Sequence, residues 1–163
     1  MRYPLAGRET LAALTAGGGV AAGVMGLARA AAKRAAGPLA VPLAVGGGLM
    51  WLGRSLGESF VETGDTTLRI KMGVLFDELI PIVEIARVGS AKWPLLAGLG
   101  VRSNMKDMVA VVTRAGFVAE LSLWSPIRLP VIPKLYHVRA QRLLVSPERL
   151  DTFITDLRAR TSR

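Results

Sequence analysis

A single histidine, His137, and twelve carboxylates are the side chains of this 163-residue chain best suited to proton transfer or metal binding. A nucleophile–base pair would have to be built around His137. It stands between Tyr136 and Val138 at a strand start, with no Ser or Cys in a nearby elbow, so it reads as structural. Asp77, Glu78 and Glu84 are close enough in sequence to suggest an acid–base or metal cluster. Neighbours on a strand point to opposite faces, however, so Asp77 and Glu78 cannot share one site. Without His or Cys ligands beside them a transition-metal centre is disfavoured. The chain has no cysteine, which excludes disulfides and thiolate metal sites and leaves the redox compartment open. No nucleophile–base or metal constellation is assembled, so the residues point away from an enzyme and call for no cofactor.

Binding chemistry is better represented. Arg69, Lys71, Arg87, Lys92, Arg102 and Lys106 form either an ordinary charged face or a basic patch for anionic lipid, to which each cation held near the surface adds about 1 kcal/mol. Nucleic acid is disfavoured, because aromatics do not interleave with the basic residues as a stacking platform requires. Two segments combine large apolar residues with loop punctuation. One is Lys92–Leu99, with Trp93, Leu95 and Leu96; the other is Trp124–Pro133, with Trp124, Ile127 and Leu129. The three prolines of the second segment speak against a central strand. If exposed, these residues would make a patch for a protein partner or a bilayer; the alternative is that they fold over the core.

The elements that must position these groups change character near residue 57. Residues 1–57 are Gly-, Ala- and Leu-rich, with six basic residues against one acidic, Glu9; residues 58–163 hold fifteen against eleven, and the whole chain carries +9. That balance favours anionic partners and says nothing about fold. Half the residues are hydrophobic (51%) although 20% are charged, a high share for a soluble protein. Two charge-free stretches, 11–28 and 37–52, flank the basic patch Arg29, Lys33 and Arg34, and each approaches the roughly 17–25 residues of a membrane-spanning helix. Trp51 sits where an interfacial aromatic belongs. Gly19 and Gly23 lie one turn apart, as do Ala22 and Gly26, a spacing that lets helices approach closely in a membrane.

The leader therefore reads as a transmembrane helical hairpin. Three alternatives stay open: a signal peptide cleaved near Ala28-Arg29-Ala30, a dinucleotide-type glycine turn at Gly17, Gly19 and Gly23 that lacks its preceding strand, and a soluble helical pair packed on the domain. Positive charge does not orient the hairpin, since Arg2, Arg8 and Arg54 oppose Arg29, Lys33 and Arg34.

Beyond residue 57 the period is two. Leu68, Ile70 and Met72 alternate with Arg69 and Lys71, Val74–Ile80 follows Gly73, and an apolar pattern continues through Ile82, Ile85 and Val88. Val109–Thr113 and Phe117–Leu123 read as a hairpin turning at Ala115-Gly116, and Val138–Leu144 as the last strand. Ser146-Pro147-Glu148 has the composition of a helix start. Leu150, Phe153, Ile154 and Leu157 then fall on one helical stripe, predicting a helix over 147–160. Six or seven strands and this helix make an α+β domain, a small antiparallel barrel or sandwich closed by its C-terminal helix.

Leu68–Met72, the string Leu79-Ile80-Pro81-Ile82-Val83-Glu84-Ile85 with Val88, and Val145-Ser146-Pro147-Glu148 with Phe153 resemble bacterial pleckstrin-homology-like domains over roughly 58–160. The segment Ser125–Pro133 is longer than that pattern has before its last strand. The resemblance implies a non-enzymatic, membrane-attached module that binds proteins or ligands. The phosphoinositide site of the eukaryotic relatives does not carry over, because the turn Met72-Gly73-Val74 is short and uncharged. The expectation is a membrane protein, with its β domain on the cytoplasmic side, acting as an interaction or scaffold module. Its partners would be membrane lipid and a membrane protein or a second copy of itself. The alternative is a tethered or exported small-barrel carrier of an apolar or lipid ligand.

Overall fold

A computed structural model describes residues 1–33, 39–132 and 135–162. It divides into two compact units, one of Met1–Arg8 with Glu58–Arg163 and one of Glu9–Gly57. The division differs from the sequence reading at one end. Residues 1–8, expected to belong to the leader, are part of the β unit.

That unit is α+β, with two sheets. The first has the order β1 (Arg2–Pro4), β2 (Phe60–Thr63), β3 (Thr67–Met72) and β4 (Phe76–Pro81), antiparallel throughout. Its pattern follows from alternation. Leu68, Ile70 and Met72 of β3 are buried while Arg69 and Lys71 face outward, as a half-buried strand requires. The second sheet has the order β5 (Ile85–Trp93), β8 (Gly116–Ile132), β9 (Tyr136–Val145), β7 (Met108–Val112) and β6 (Gly100–Ser103).

Of the expected antiparallel barrel or sandwich, closure into a barrel and a purely antiparallel pairing are both corrected. The sheets remain separate, and β7 runs parallel to β9. The residues Thr113–Ala115 do turn the chain, yet β7 and β8 do not pair as a hairpin. The end of β9 is inserted between them, with Val145 opposite both Val111 and Ala119.

The segment expected to be a proline-rich loop is the second half of β8. Prolines are admitted to strands at edges and bulges, and both conditions are met. Beyond Leu123, β8 has left its β5 partner and pairs with β9 alone. Pro126 falls in the register shift between Ser122 and Ile127, and Pro130 borders the shift before Ile132.

The C-terminal helix α3 (Leu150–Thr161) buries Phe153, Ile154 and Leu157. It starts three residues after the expected 147. Ser146 does not cap it: its hydroxyl accepts from the Thr113 amide at 2.9 Å and pairs with the Thr113 hydroxyl at 3.0 Å, both buried. A side chain already engaged across the fold cannot also serve the helix amides.

The first eight residues are tied into this unit at every step. Thr63 N donates to Met1 O at 2.7 Å, Leu5 N to Ser59 O at 3.2 Å and Ala6 N to Ser146 O at 2.7 Å, and the Met1 ammonium donates to Thr63 O. The Tyr3 hydroxyl donates to Asp156 at 3.2 Å, and the ring meets Phe153 edge-on at 5.4 Å. Leu5 and Tyr3 are buried. The chain therefore lays down one strand, leaves after Arg8, and returns at Glu58 to pair with the strand it left.

Between those points stand α1 (Arg8–Lys33) and α2 (Ala40–Gly57). Of the two spans expected from sequence, α1 alone among the described residues is long and apolar enough to cross a membrane, and only 11% of that stretch is buried. Residues 34–38, including Arg34 of the expected basic patch, lie outside the described residues.

Candidate interaction surfaces

The helical pair shows how small residues act as contacts. A Cβ on Gly19 would stand 2.6 Å from the Gly46 carbonyl oxygen, and a Cβ on Gly46 would stand 2.7 Å from that of Gly19. Gly26 meets Pro42 and Gly53 meets Ala12 and Ala16 with equally little room. No side chain larger than hydrogen fits at those separations, so the helices touch backbone to backbone at Gly19, Gly46 and Gly53, and Gly26 receives the Pro42 ring. Of the residues singled out from sequence, Gly19 and Gly26 are at this seam. Gly23 contributes its amide nitrogen, 3.5 Å from where a Gly46 Cβ would be, and Ala22 is half-buried. Gly46 and Gly53 were missed, although their spacing of seven residues, two helical turns, matches that of Gly19 and Gly26.

Most of the large apolar residues of the pair face away from the seam; Met50, whose Cγ would lie 3.0 Å from a Gly19 Cβ, borders it, and Leu56 is buried. Leu14, Val20, Val24, Met25 and Leu27 of α1 are exposed, as are Val41, Leu43, Val45, Met50 and Trp51 of α2. This is the reverse of a soluble helix, which buries its large apolar stripe.

In the β unit the candidate contact residues separate into core and surface. Trp93 is 7% exposed and packs with Ala110, Val112, Val118 and Leu144; its indole N–H donates to Gly98 O at 2.9 Å. Leu129, 1% exposed, is likewise core. Both are corrected as outer contacts, because each falls on the inward phase of its strand. Ile127 is half-buried. Leu95 and Leu96 are exposed, Leu96 fully (100%), and Trp124 is 71% exposed next to Ser125, whose hydroxyl donates to Glu84 at 2.8 Å. Val83, next to Glu84 in the chain, is also exposed.

The basic residues do not gather into one patch. Arg69 is engaged by Asp77 through two 2.8 Å hydrogen bonds, which hold the Asp77 carboxyl below the usual carboxylate range against the effect of its partial burial. Lys71 flanks it, paired across the ladder with Phe60. Lys92 and Arg102 are exposed near the Pro94–Gly98 loop, whereas Lys106 lies in the β6–β7 turn at the other end of those strands.

His137, Asp77 and Glu78 line an open cleft of about 400 Å³ with Val74, Leu75, Phe76 and Pro130. The two adjacent carboxylates therefore do border one site, contrary to expectation, while Glu84 is not in its lining and pairs with Ser125. Burial pushes the Glu78 carboxyl up, partly offset by the charge of His137. Asp77 and Glu78 point to opposite faces of β4, exposed and half-buried, as strand geometry demands. No group of three His, Cys, Asp or Glu suited to a metal ion occurs among the described residues.

A second polar cluster was not anticipated. Asp156 accepts from Thr63 at 2.6 Å, Tyr3 at 3.2 Å and Arg160 at 3.0 Å. Burial opposes its charge, yet these donors hold its pKa below the ordinary value. Arg160 is its i+4 neighbour on α3, but Tyr3 and Thr63 come from far along the chain, a separation that no local pattern announces. Comparison with protein-family models, with curated proteins and with solved structures yields no match.

Proposed function

We propose that the protein is a non-enzymatic interaction or scaffold module of the bacterial pleckstrin-homology-like kind, anchored in the cytoplasmic membrane by α1 and α2. The observation that carries this reading is the inverted helical pair, with glycine and alanine at the seam and Leu, Val, Met and Trp outside. In water such an arrangement exposes apolar area that folding should hide. In lipid the large side chains are solvated by acyl chains, and close backbone packing holds the helices together.

Insertion of the pair between two paired strands constrains its topology. Because Leu5 N is bonded to Ser59 O, both ends of a membrane hairpin would lie on the side of the β unit, with Arg29 across the bilayer. We assign the β unit to the cytoplasm, where Arg8, Arg54 and its other basic residues suit the anionic leaflet. Trp124 and Val83 offer apolar contacts for a membrane-protein partner or a second copy of the chain. A carrier of an apolar ligand is less well supported, since the 400 Å³ cleft presents Asp77, Glu78 and His137.

The test uses the absence of native cysteine. In intact bacterial cells the single variants Arg29→Cys and Glu58→Cys are treated with a membrane-impermeant maleimide, and membranes are washed with alkaline carbonate. Retention through carbonate with labelling at position 29 alone is expected. Labelling at 58 alone would invert the topology, and release by carbonate would remove the anchor.

A further inference from the structure

The hairpin's attachment points are fixed within the β unit, and their neighbours form a distinctive surface. Gly7 adopts φ 76°, and a Cβ there would lie 3.2 Å from Thr113 O and 3.3 Å from the Arg114 Cβ. The Thr113 hydroxyl donates to Ala6 O at 2.7 Å. The β7–β8 turn is thus in contact with the residues from which α1 departs. From that turn β8 begins, and its first residue, Gly116, pairs with Trp93 at the end of β5. The loop that follows Trp93 therefore stands at the same end of the second sheet as the turn that holds Ala6 and Gly7.

That loop is a built feature. Ala97 N donates to Pro94 O at 3.1 Å, Gly98 N to Leu95 O at 3.0 Å, and the buried Trp93 indole closes it onto Gly98 O at 2.9 Å. The result holds Leu95 and Leu96 outward, and Phe117, also exposed, lies one ladder step away opposite Lys92. Cross-strand partners share a face, so an aromatic ring and a cation are presented together. The Arg102 guanidinium lies beside the loop, 3.0 Å from where a Gly98 Cβ would be, and Arg114 is exposed in the adjoining turn. Large apolar tips ringed by cations match the two layers of an anionic membrane surface, acyl chains beneath phosphates.

We propose that Leu95, Leu96 and Phe117 enter the interface of the same bilayer that the hairpin crosses, with Lys92, Arg102 and Arg114 at the phosphates of anionic lipids. The surface would limit the tilt of the β unit against the membrane, and this inference rests on the membrane reading of the hairpin.

The full-length chain is reconstituted into vesicles of phosphatidylcholine and phosphatidylglycerol, with an environment-sensitive fluorophore on Leu96→Cys or, as control, on Met105→Cys. Met105 is exposed in the β6–β7 turn at the opposite end of the strands. The expected result is a blue-shifted emission at 96, quenched by nitroxide lipids several-fold more than at 105. Adding Lys92→Glu and Arg114→Glu should weaken that quenching in anionic vesicles and not in purely zwitterionic ones. Water-like emission at 96 in a chain that floats with the vesicles after carbonate treatment overturns the surface and leaves the anchor. A chain that does not float overturns both. A blue shift that persists in detergent and grows with protein concentration assigns the loop to a second copy and overturns the bilayer contact.

Discussion

The helical pair and the β unit use the same apolar vocabulary in opposite directions. In the β unit the large residues are inside: Phe76, Phe153, Leu68, Ile70 and Leu157 are fully buried, and charged groups line the outer faces. In the helical pair the seam belongs to Gly19, Gly26, Gly46 and Gly53, and Leu14, Val24, Leu43 and Trp51 stand outside. One arrangement maximises apolar area withdrawn from water. The other maximises close backbone approach, which matters where the surroundings are themselves apolar. Hydrophobic content alone cannot separate the two; the size of the residues at the seam does.

The comparison breaks most visibly at the two tryptophans of the β unit. Trp93→Ala should destabilise it by about 3–5 kcal/mol, the cost of a large aromatic cavity, and it also leaves the Gly98 carbonyl without its donor. Trp124→Ala should stay within about 0.5 kcal/mol, as exposed substitutions do. Denaturant titration of the full-length chain followed by tryptophan fluorescence decides this, and equal losses would mean that burial is not what distinguishes them.

A smaller effect tests the helical pair. Gly46→Leu, which has no room, should weaken the seam by about 1–3 kcal/mol, the usual range for overpacking. Gly47→Leu, with no atom near its Cβ position, should be tolerated. The readout is the distance between spin labels at Leu14→Cys and Trp51→Cys, both exposed, widened in the first variant only.

The smallest effect sharpens the role of residues 1–8 in the β unit. Asp156→Asn weakens charge-assisted bonds to Thr63, Tyr3 and Arg160 and should lower stability by roughly 1 kcal/mol. Its folded pKa is depressed below the ordinary 3.8. The stabilisation is therefore present above that value and lost as pH falls through the folded one. Thermal melts of the native chain should drop over that acidic window more steeply than those of the Asn variant; parallel profiles would remove Asp156 from the account.

Much of this was legible locally. The β3 alternation, the Phe153–Leu157 stripe and the outward direction of Asp77 against Glu78 follow from strand and helix periods. Less legible were features that depend on distant partners. Trp93 and Leu129 sit in sequences punctuated like loops, yet their neighbours across the ladder place them in the core. Ser146 has the chemistry of a helix cap, yet Thr113 claims its hydroxyl. Met1–Arg8 precede an apolar run and so read as its flank, until pairing with Phe60–Glu62 makes them a sheet edge.

By itself the sequence determined where large and small apolar residues fall, that α1 is long and apolar enough to span a bilayer, and that the remainder is α+β. These are properties of composition and period, set within a few turns or a few strand residues. Only the tertiary structure decided that two sheets form in place of a closed barrel, that β9 separates β7 from β8, and that the helical pair is inserted between two paired strands. Strand order and insertion depend on which distant backbone groups find one another, and the hydrogen bonds that settle it are alike in chemistry at every residue.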